Sequence, residues 1–405
     1  MDAIQQEIHV SFQYPVHFTT GVFTAANPLL RDVVTRPGAS GASRVLVVLD
    51  SGVEAAHPGI LDAIRSYFGA HSSSIELTAS VVVLPGGEQV KNDLSHVERL
   101  LAAMHAAALC RHSYLVAVGG GAVLDAAGFA AATAHRGVRL IRVPTTVLAQ
   151  DDSAVGVKNG INAFGKKNYI GTFAPPFAVI NDFAFLATLT DRDWRSGVTE
   201  AVKAALIRDA AFFDFIEANA VAIAGRDRAV MEQVIRRSAA LHLAHIATCG
   251  DPFELGSSRP LDFGHWAAHK LEQLTDYRMR HGEAVGIGIA LDTTYSYLAG
   301  LLPERQWRRI VGLIHALGLA VYAPALSERL DTPQDPRSVL RGLAEFQEHL
   351  GGRLTIMLLE GIGRGIELHE MHEDRILQSI ALLKYHEATQ GHGEYQCAHT
   401  PALAL

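Results

Sequence analysis

Up to about residue 185, short β-branched runs alternate with stretches of helical periodicity. Residues 44–50 (RVLVVLD), 80–84 (SVVVL), 114–118 (YLVAV) and 140–143 (LIRV) read as strands, the last stopped by Pro144. Apolar positions recur at helical spacing over 57–68, 92–109 and 122–134. Continuous apolar strands between helices have both faces covered, so this half predicts βαβ units and a parallel sheet. Residues 8–20 carry some period-two alternation and predict extra edge strands.

From about Thr188 the period changes. Helical patterns follow over 194–219, 226–248, 264–274, 281–301, 304–317, 336–349 and 374–388, with a strand-like run at 354–359. The expected organisation is a Rossmann-like α/β domain over 1–187 and a mostly helical domain over 188–385. A polar tail, 386–405, with several His, Gly and Pro residues is expected to be poorly ordered.

Composition narrows the function classes. A chain of 405 residues fits two domains, and 49% apolar with 19% charged residues is an ordinary globular mixture. The net charge of −7, without any long Lys/Arg block, argues against nucleic acid or an anionic membrane as main partner. Cys110, Cys249 and Cys397 have no CxxC spacing and cannot form a disulfide framework, so a reducing, cytoplasmic compartment is expected. Residues 115–134 carry a single charge, Asp125, but Gly119, Gly120 and Gly121 would break a spanning helix. The N-terminus shows no basic and then apolar leader pattern, and a soluble protein is expected.

Candidate chemistry sits at strand ends. The triplet Gly119-Gly120-Gly121 falls where a strand gives way to a helix, and Asp125 follows one turn on. Such a turn brings backbone N–H groups and a helix N-terminus to a pyrophosphate, although it is not GxGxxG and equally suits a tight turn. Asp50 closes an earlier strand, where an acid can hold ribose hydroxyls, and Gly87-Glu88 with Lys91 follows another. Residues 144–168 read as a long polar loop, in which Lys158, Lys167 and Asn168 offer donors to a phosphate. Further on, His265 and His269 stand at i and i+4 on one helical face, His281 opens a later helix, and Glu200 lies three residues before Lys203. A Glu with two or three His suits a catalytic zinc site, and the alternative is a set of helix-surface histidines.

In this order the residues resemble the sugar-phosphate cyclases, the superfamily of 3-dehydroquinate synthase. The resemblance covers roughly residues 44–300 and rests on VAVGGGAVLDAAGFAAATAHRG, RVPTTVLAQDDSAVG and NYIGTFAPPFAVIND. It implies NAD at Asp50, Glu88, Lys91, Gly120, Gly121, Asp125, Thr145, Thr146, Lys167, Thr188 and Leu189. SGVTEAVK, FGHxxxH and RHGEAV match motifs in which Glu200, His265 and His281 bind a divalent metal, Zn²⁺ first and Co²⁺ second. By the same matches Lys203 contacts substrate and His269 its phosphate, with Asp152 and Lys158 catalytic and Arg136 and Asn168 lining the pocket. The implied reaction is transient oxidation of a ketose phosphate by NAD⁺, loss of phosphate, return of the hydride and intramolecular aldol closure. The family also implies a homodimer.

Departures from the synthase pattern bear on the substrate. Where that pattern has R-x-x-x-N-x-G-H, the Asn is Asp262, the Arg position is Ser258, and Arg259 is displaced by one. The region of an earlier family Lys reads LHLAHIATC, a late Asp-Lys-Lys is replaced near FQEH at 346–349, and a Gly–Gly pair has become Gly156–Val157. An anionic Asp262 is a poor neighbour for a carboxylate and a good acceptor for a hydroxyl. The expectation is therefore a neutral ketoheptose phosphate such as sedoheptulose 7-phosphate, with Asp262 and Arg259 at the substrate. The alternatives are a true 3-dehydroquinate synthase acting on 3-deoxy-arabino-heptulosonate 7-phosphate, a metal-dependent polyol dehydrogenase, and a non-catalytic binding protein on the same scaffold.

Overall fold

Seven parallel strands form the main sheet: β1 (Val16–Thr19), β2 (Ser43–Asp50), β3 (Ile75–Leu77), β4 (Val82–Leu84), β5 (Tyr114–Gly119), β6 (Arg139–Pro144) and β9 (Ala178–Asp182). Their order is β1-β9-β6-β5-β2-β3, with β4 also paired to β2. A separate antiparallel hairpin joins β7 (Lys158–Ala163) to β8 (Lys166–Phe173). These elements belong to a computed structural model that describes residues 3–35, 41–256 and 258–390. It divides into two compact units, the first of Met1–Ala201 with Arg226–Leu255 and the second of Val202–Gly225 with Gly256–Leu405.

The central strands are apolar on both faces because each face has its own cover. Leu46, Val48, Leu115, Ala117 and Leu140 point into one core with the helices Leu94–Ala106 and Gly121–Thr133. Val45, Val47, Leu49, Val116, Val118 and Ile141 point into the other, with Leu29–Val34 and Ile60–Ala70. From β2 the chain proceeds to β3 and β4 on one side and then returns to pair β5 on the other. The reversal puts a crevice at the carboxyl ends of β2 and β5, where open parallel sheets take their ligands.

The structure differs from the expected elements at breakpoints. The helix expected over 57–68 spans Ile60–Ala70 and starts after Gly59, whose φ is 89°, and a further short helix, Ser51–Ala56, precedes it. Likewise 194–219 divides into Asp191–Arg208 and Ala210–Ala218 at Asp209, whose carboxylate accepts from Phe212 N at 3.0 Å. Within 8–20 only β1 forms, and it pairs in parallel with β9. The long loop expected over 144–168 holds a π-helical turn, Ala149–Ser153, and the β7–β8 hairpin. Phe164 and Gly165 both have positive φ, 53° and 72°, so a tight two-residue turn closes the hairpin.

The division expected at 187/188 falls elsewhere. The helix Asp191–Arg208 passes through the boundary, and residues 226–255 belong to the first unit. In the second unit, the helices His265–Leu274, His281–Leu298, Glu304–Ala316 and Arg341–Leu350 accompany a hairpin of β10 (Ile356–Gly361) and β11 (Arg364–Leu368). The tail expected from 386 begins inside a helix, Glu373–Gln390, where His386 packs edge-on against Trp307 and Glu387 accepts from Val321 N at 2.9 Å. Residues 391–405 lie outside the described residues. Among the described residues no helix is long and apolar enough to cross a membrane.

Candidate active site

In the first unit the predicted nucleotide residues gather at the carboxyl ends of the strands. Asp50 ends β2; its Oδ1 accepts from Gly52 N at 2.7 Å and its Oδ2 from Gly120 N at 3.4 Å. Burial pushes its carboxyl pKa up, against the lowering effect of those backbone donors. A Cβ on Gly119 would lie 2.9 Å from Asp50 Cβ, and one on Gly121 2.8 Å from Ser153 Oγ. The turn is glycine because neighbouring side chains occupy the space, whereas a Cβ on Gly120 would meet nothing closer than Thr146 Cγ2 at 3.5 Å. Thr145 N donates to Gly119 O at 3.0 Å, tying the end of β6 to that of β5.

Beside the turn, Lys91 is buried with its Nζ 2.8 Å from Asp125 Oδ2 and 3.6 Å from Glu88 Oε1. The same Nζ donates to Asn168 Oδ1. Asn162 braces this group: its Nδ2 donates to Glu88 Oε1 at 2.9 Å and its Oδ1 accepts from Asn168 N at 2.8 Å. Asn168, expected on the substrate, is thus joined to the expected nucleotide residues, because β8 returns antiparallel to β7 and carries it back to Lys91. Lys167 is its half-buried neighbour on β8. Thr188 Oγ1 is 2.8 Å from His57 Nε2, and Leu189 O accepts from Arg226 at 2.6 Å.

The π-helical turn carries Asp152, and β7 opens on Lys158. Asp152 Oδ1 is 2.7 Å from His242 Nδ1, and Lys158 Nζ is 2.6 Å from Glu254 Oε1. A fully buried guanidinium organises the intervening backbone: Arg142 donates to Ala154 O (2.9 Å), Gly156 O (2.7 Å), Lys158 O (2.9 Å) and Asn159 Oδ1 (2.6 Å). Sequence reasoning missed Arg142, His242 and Glu254. Arg142 had a signal, since a lone cation inside an apolar strand run must find acceptors.

Arg136 lies apart, in its own chain, from the other residues expected at the site. It is exposed, with φ of 61°, in the turn before β6 begins at Arg139. The helix Gly121–Thr133 starts at the glycine turn and runs away from it for ~20 Å, at ~1.5 Å per residue. Arg136 therefore stands at the amino-terminal edge of the sheet, far from the glycine turn in its own chain.

In the second unit His265, His269 and His281 form one cluster. Ring centroids are 5.3 Å apart for His265–His269, 5.5 Å for His265–His281 and 5.9 Å for His269–His281. A ring nitrogen of His265 and one of His281 come within 4.8 Å. His265 Nδ1 is 3.1 Å from Phe263 O, and His281 Nδ1 is 2.9 Å from Glu272 Oε2. With both Nδ1 atoms donating to oxygen, both rings present Nε2 lone pairs, the donor a divalent metal takes from imidazole. Glu200 is buried on the helix Asp191–Arg208, and buried Lys203 follows on the same helix.

The fold holds the first of these rings from behind. Gly264, with φ of 77°, crosses Gly288 so closely that a Cβ on Gly288 would lie 2.0 Å from Gly264 O. Asp292, wholly buried, accepts from Gly264 N at 3.0 Å and from Trp266 Nε1 at 2.8 Å, the two residues flanking His265. Burial pushes its pKa up to about 7 in spite of these two donors.

Nearby, Arg259 donates to Gly256 O at 3.1 Å, and its Nε lies 4.0 Å from Asp262 Oδ2. Ser258 Oγ donates to Glu367 of β11. Glu272, Asp292 and Glu367 were not foreseen, since each meets its partner only through the fold.

A Rossmann-like parallel-sheet unit with a glycine turn, followed by a helical unit with a histidine cluster, defines the class. The 3-dehydroquinate synthase N-terminal profile matches residues 81–196 and the C-terminal profile 197–334, so the chain belongs to the 3-dehydroquinate synthase family of sugar-phosphate cyclases. A 2-epi-5-epi-valiolone synthase from Streptomyces glaucescens is 35% identical over 362 residues, covering 89% of this chain and 88% of that protein. A 3-dehydroquinate synthase from Nitrosospira multiformis is 36% identical over 352 residues, covering 87% and 89%. A solved 2-epi-5-epi-valiolone synthase from Streptomyces hygroscopicus subsp. jinggangensis, with NAD⁺ and Zn²⁺ bound, superposes with a TM-score of 0.83 at 28% identity. That match covers 95% of this chain and 100% of the other. The near-equal identities to two synthases leave the choice of substrate to the residues.

Proposed function

We propose that the protein is a phosphate-eliminating lyase, an NAD- and metal-dependent cyclase of a neutral seven-carbon ketose phosphate such as sedoheptulose 7-phosphate. The observation that carries the substrate choice is the environment of Asp262. A synthase for a heptulosonate needs cations at the carboxylate end. Here Arg259, the one cation close to the family position, points to Asp262 and to the Gly256 carbonyl. Ser258, at the family Arg position, is hydrogen-bonded to a second carboxylate, Glu367. A substrate carboxylate beside this group costs roughly a hundredfold or more in affinity. A hydroxymethyl group donates to Asp262 instead, a charge-assisted bond worth roughly 1.5–3 kcal/mol.

The donor set fits a divalent metal. We assign His265 and His281 as two ligands through Nε2, and Glu200 as the carboxylate ligand on the strength of the SGVTEAVK motif. NAD is assigned to the crevice at Asp50, Gly120, Gly121, Asp125, Thr145 and Thr146, with Glu88 and Lys91 at its rim. When bound, the nicotinamide accepts and returns a hydride and the metal acidifies the substrate hydroxyls. The chain's own groups position and neutralise: Lys158 and His269 hold the leaving phosphate, while Lys203 and Asp152 orient the hydroxyls. The His242 ring keeps the Asp152 carboxylate in one orientation.

Phosphate release with catalytic NAD⁺ tests the reading. Sedoheptulose 7-phosphate should give the higher kcat/KM. A higher value for 3-deoxy-arabino-heptulosonate 7-phosphate would make the enzyme a 3-dehydroquinate synthase, with Arg259 supplying the cation. Bulk reduction of NAD⁺ without phosphate release would make it a dehydrogenase.

A further inference from the structure

Glu272 is a buried carboxylate with no part in the reaction outlined above. It sits near the end of the helix His265–Leu274 and is 3% exposed. Its Oε2 lies 2.9 Å from Nδ1 of His281, the first residue of the helix His281–Leu298. A turn closed by Tyr277 N donating to Glu272 O at 2.8 Å brings the two helix ends together. A carboxylate only accepts, so the contact requires the proton of a neutral His281 on Nδ1 and leaves the lone pair on Nε2. The opposite tautomer would set a ring lone pair against a buried anion.

We propose that Glu272 is a positioning residue that fixes the tautomer and ring direction of His281 and so raises the metal affinity of the site. The inference rests on the reading of His281 as a metal ligand. Neighbouring rings alone leave this orientation undetermined, since a half-turn about Cβ–Cγ would preserve the stack of His281 on His269 (26° between planes) while exchanging each nitrogen with a ring carbon. An alternative role exists on geometry: ligand atoms of His269, Glu272 and His281 also come within 4.8 Å of one another, so Glu272 could itself ligate. The two roles separate on Glu272→Gln. Its amide oxygen still accepts from Nδ1–H and preserves a positioning role, whereas a ligand carboxylate is lost with its charge.

The test is competition of the zinc-loaded protein with a chromophoric chelator, for wild type, Glu272→Gln and Glu272→Ala. Zinc affinity should fall by about 10–100-fold in Glu272→Ala, the usual cost of losing an outer partner of a metal-bound histidine, and much less in Glu272→Gln. The ligand-field bands of the Co²⁺-loaded protein should shift in Glu272→Ala while its far-ultraviolet circular dichroism does not. Wild-type affinity in Glu272→Ala, or equal losses in the two variants, overturns the proposal. Should Glu272→Ala not fold, long-range ¹H–¹⁵N spectra of histidine-labelled wild type after chelation decide: His281 as the Nδ1–H tautomer supports it and as the Nε2–H tautomer overturns it. Wild type that holds no stoichiometric metal instead defeats the metal reading on which the proposal stands.

Discussion

The glycine turn of the first unit and the histidine cluster of the second present polar groups by opposite means. At the turn, what faces the crevice is backbone: Gly119 and Gly121 lack side chains because Asp50, Val123 and Ser153 fill the space where a Cβ would go. In the cluster, what is offered is side chain, and two of its rings are held from behind by an oxygen: Phe263 O for His265 and Glu272 for His281. A backbone site is set by sterics and tolerates little added volume. A side-chain site is set by hydrogen bonds, and it fails when an acceptor or a ligand is removed. The same difference predicts which substitutions damage chemistry and which damage packing.

The largest effect is expected where a ligand is removed. Glu200→Ala and His265→Ala should each lose stoichiometric metal and at least about a hundredfold in kcat, as expected for loss of a Lewis acid. Metal analysis beside phosphate release checks both, and full metal content in the two variants would remove this site from the cluster.

Next comes the support behind His265. Asp292 has its pKa pushed up to about 7 by burial, above the ~3.9 of an exposed Asp in the unfolded chain. Between about pH 4 and 7 the native state keeps a proton that the unfolded chain has released. The contribution of this group to stability is therefore largest at low pH and declines as pH rises through that window, on the order of 1 kcal/mol per pH unit. Asp292→Asn does not ionise and keeps one acceptor oxygen for Gly264 N or Trp266 Nε1. The Tm of the variant relative to wild type should thus rise from pH 4 to 7, and parallel Tm profiles would show that Asp292 does not titrate there.

What could be read in advance follows the same division. The glycine turn, Asp50 and the i, i+4 histidines are local patterns, so they were legible. Glu272, Asp292 and Arg142 were not, because a buried charge finds its partner through tertiary contact: Asp292 reaches Trp266 across 26 positions, and Arg142 reaches Asn159 across 17. Residues 144–168 looked like a loop because glycine and asparagine interrupt the alternation of β7 and β8, although Phe164 and Gly165 at positive φ supply the hairpin turn. Arg136 was expected from the motif match, and the helix before it carries it to the amino-terminal edge of the sheet in its own chain.

A third substitution series addresses Asp262. Asp262→Asn with Ser258→Arg removes one anion and restores a cation at the family position, where Glu367 and Arg259 already compete for partners. The ratio of kcat/KM for sedoheptulose 7-phosphate over the heptulosonate should fall by roughly tenfold to a hundredfold, the equivalent of ~1.4–2.8 kcal/mol. An unchanged ratio would place the carboxylate end of the substrate elsewhere.

The smallest effects are expected at the glycine turn, and they separate its two roles. Gly119→Ala forces a Cβ to 2.9 Å from Asp50 Cβ and 3.1 Å from Val123 Cβ, neither of them the far end of a flexible side chain. Relief requires β2, or the first turn of the helix Gly121–Thr133, to shift, at about 1–3 kcal/mol of stability. Gly120→Ala places its Cβ 3.5 Å from Thr146 Cγ2, ordinary contact, at a φ of −73° that any residue adopts. Its stability should match wild type to within ~0.5 kcal/mol. If Gly120 is where the pyrophosphate of NAD approaches the backbone, the added methyl group should nevertheless weaken NAD⁺ binding several-fold. Denaturant unfolding and NAD⁺ titration on the two variants make the comparison. Gly120→Ala with unaltered NAD⁺ affinity would mean that the triplet serves packing against Asp50 and Ser153 alone, and that the dinucleotide does not lie over this turn.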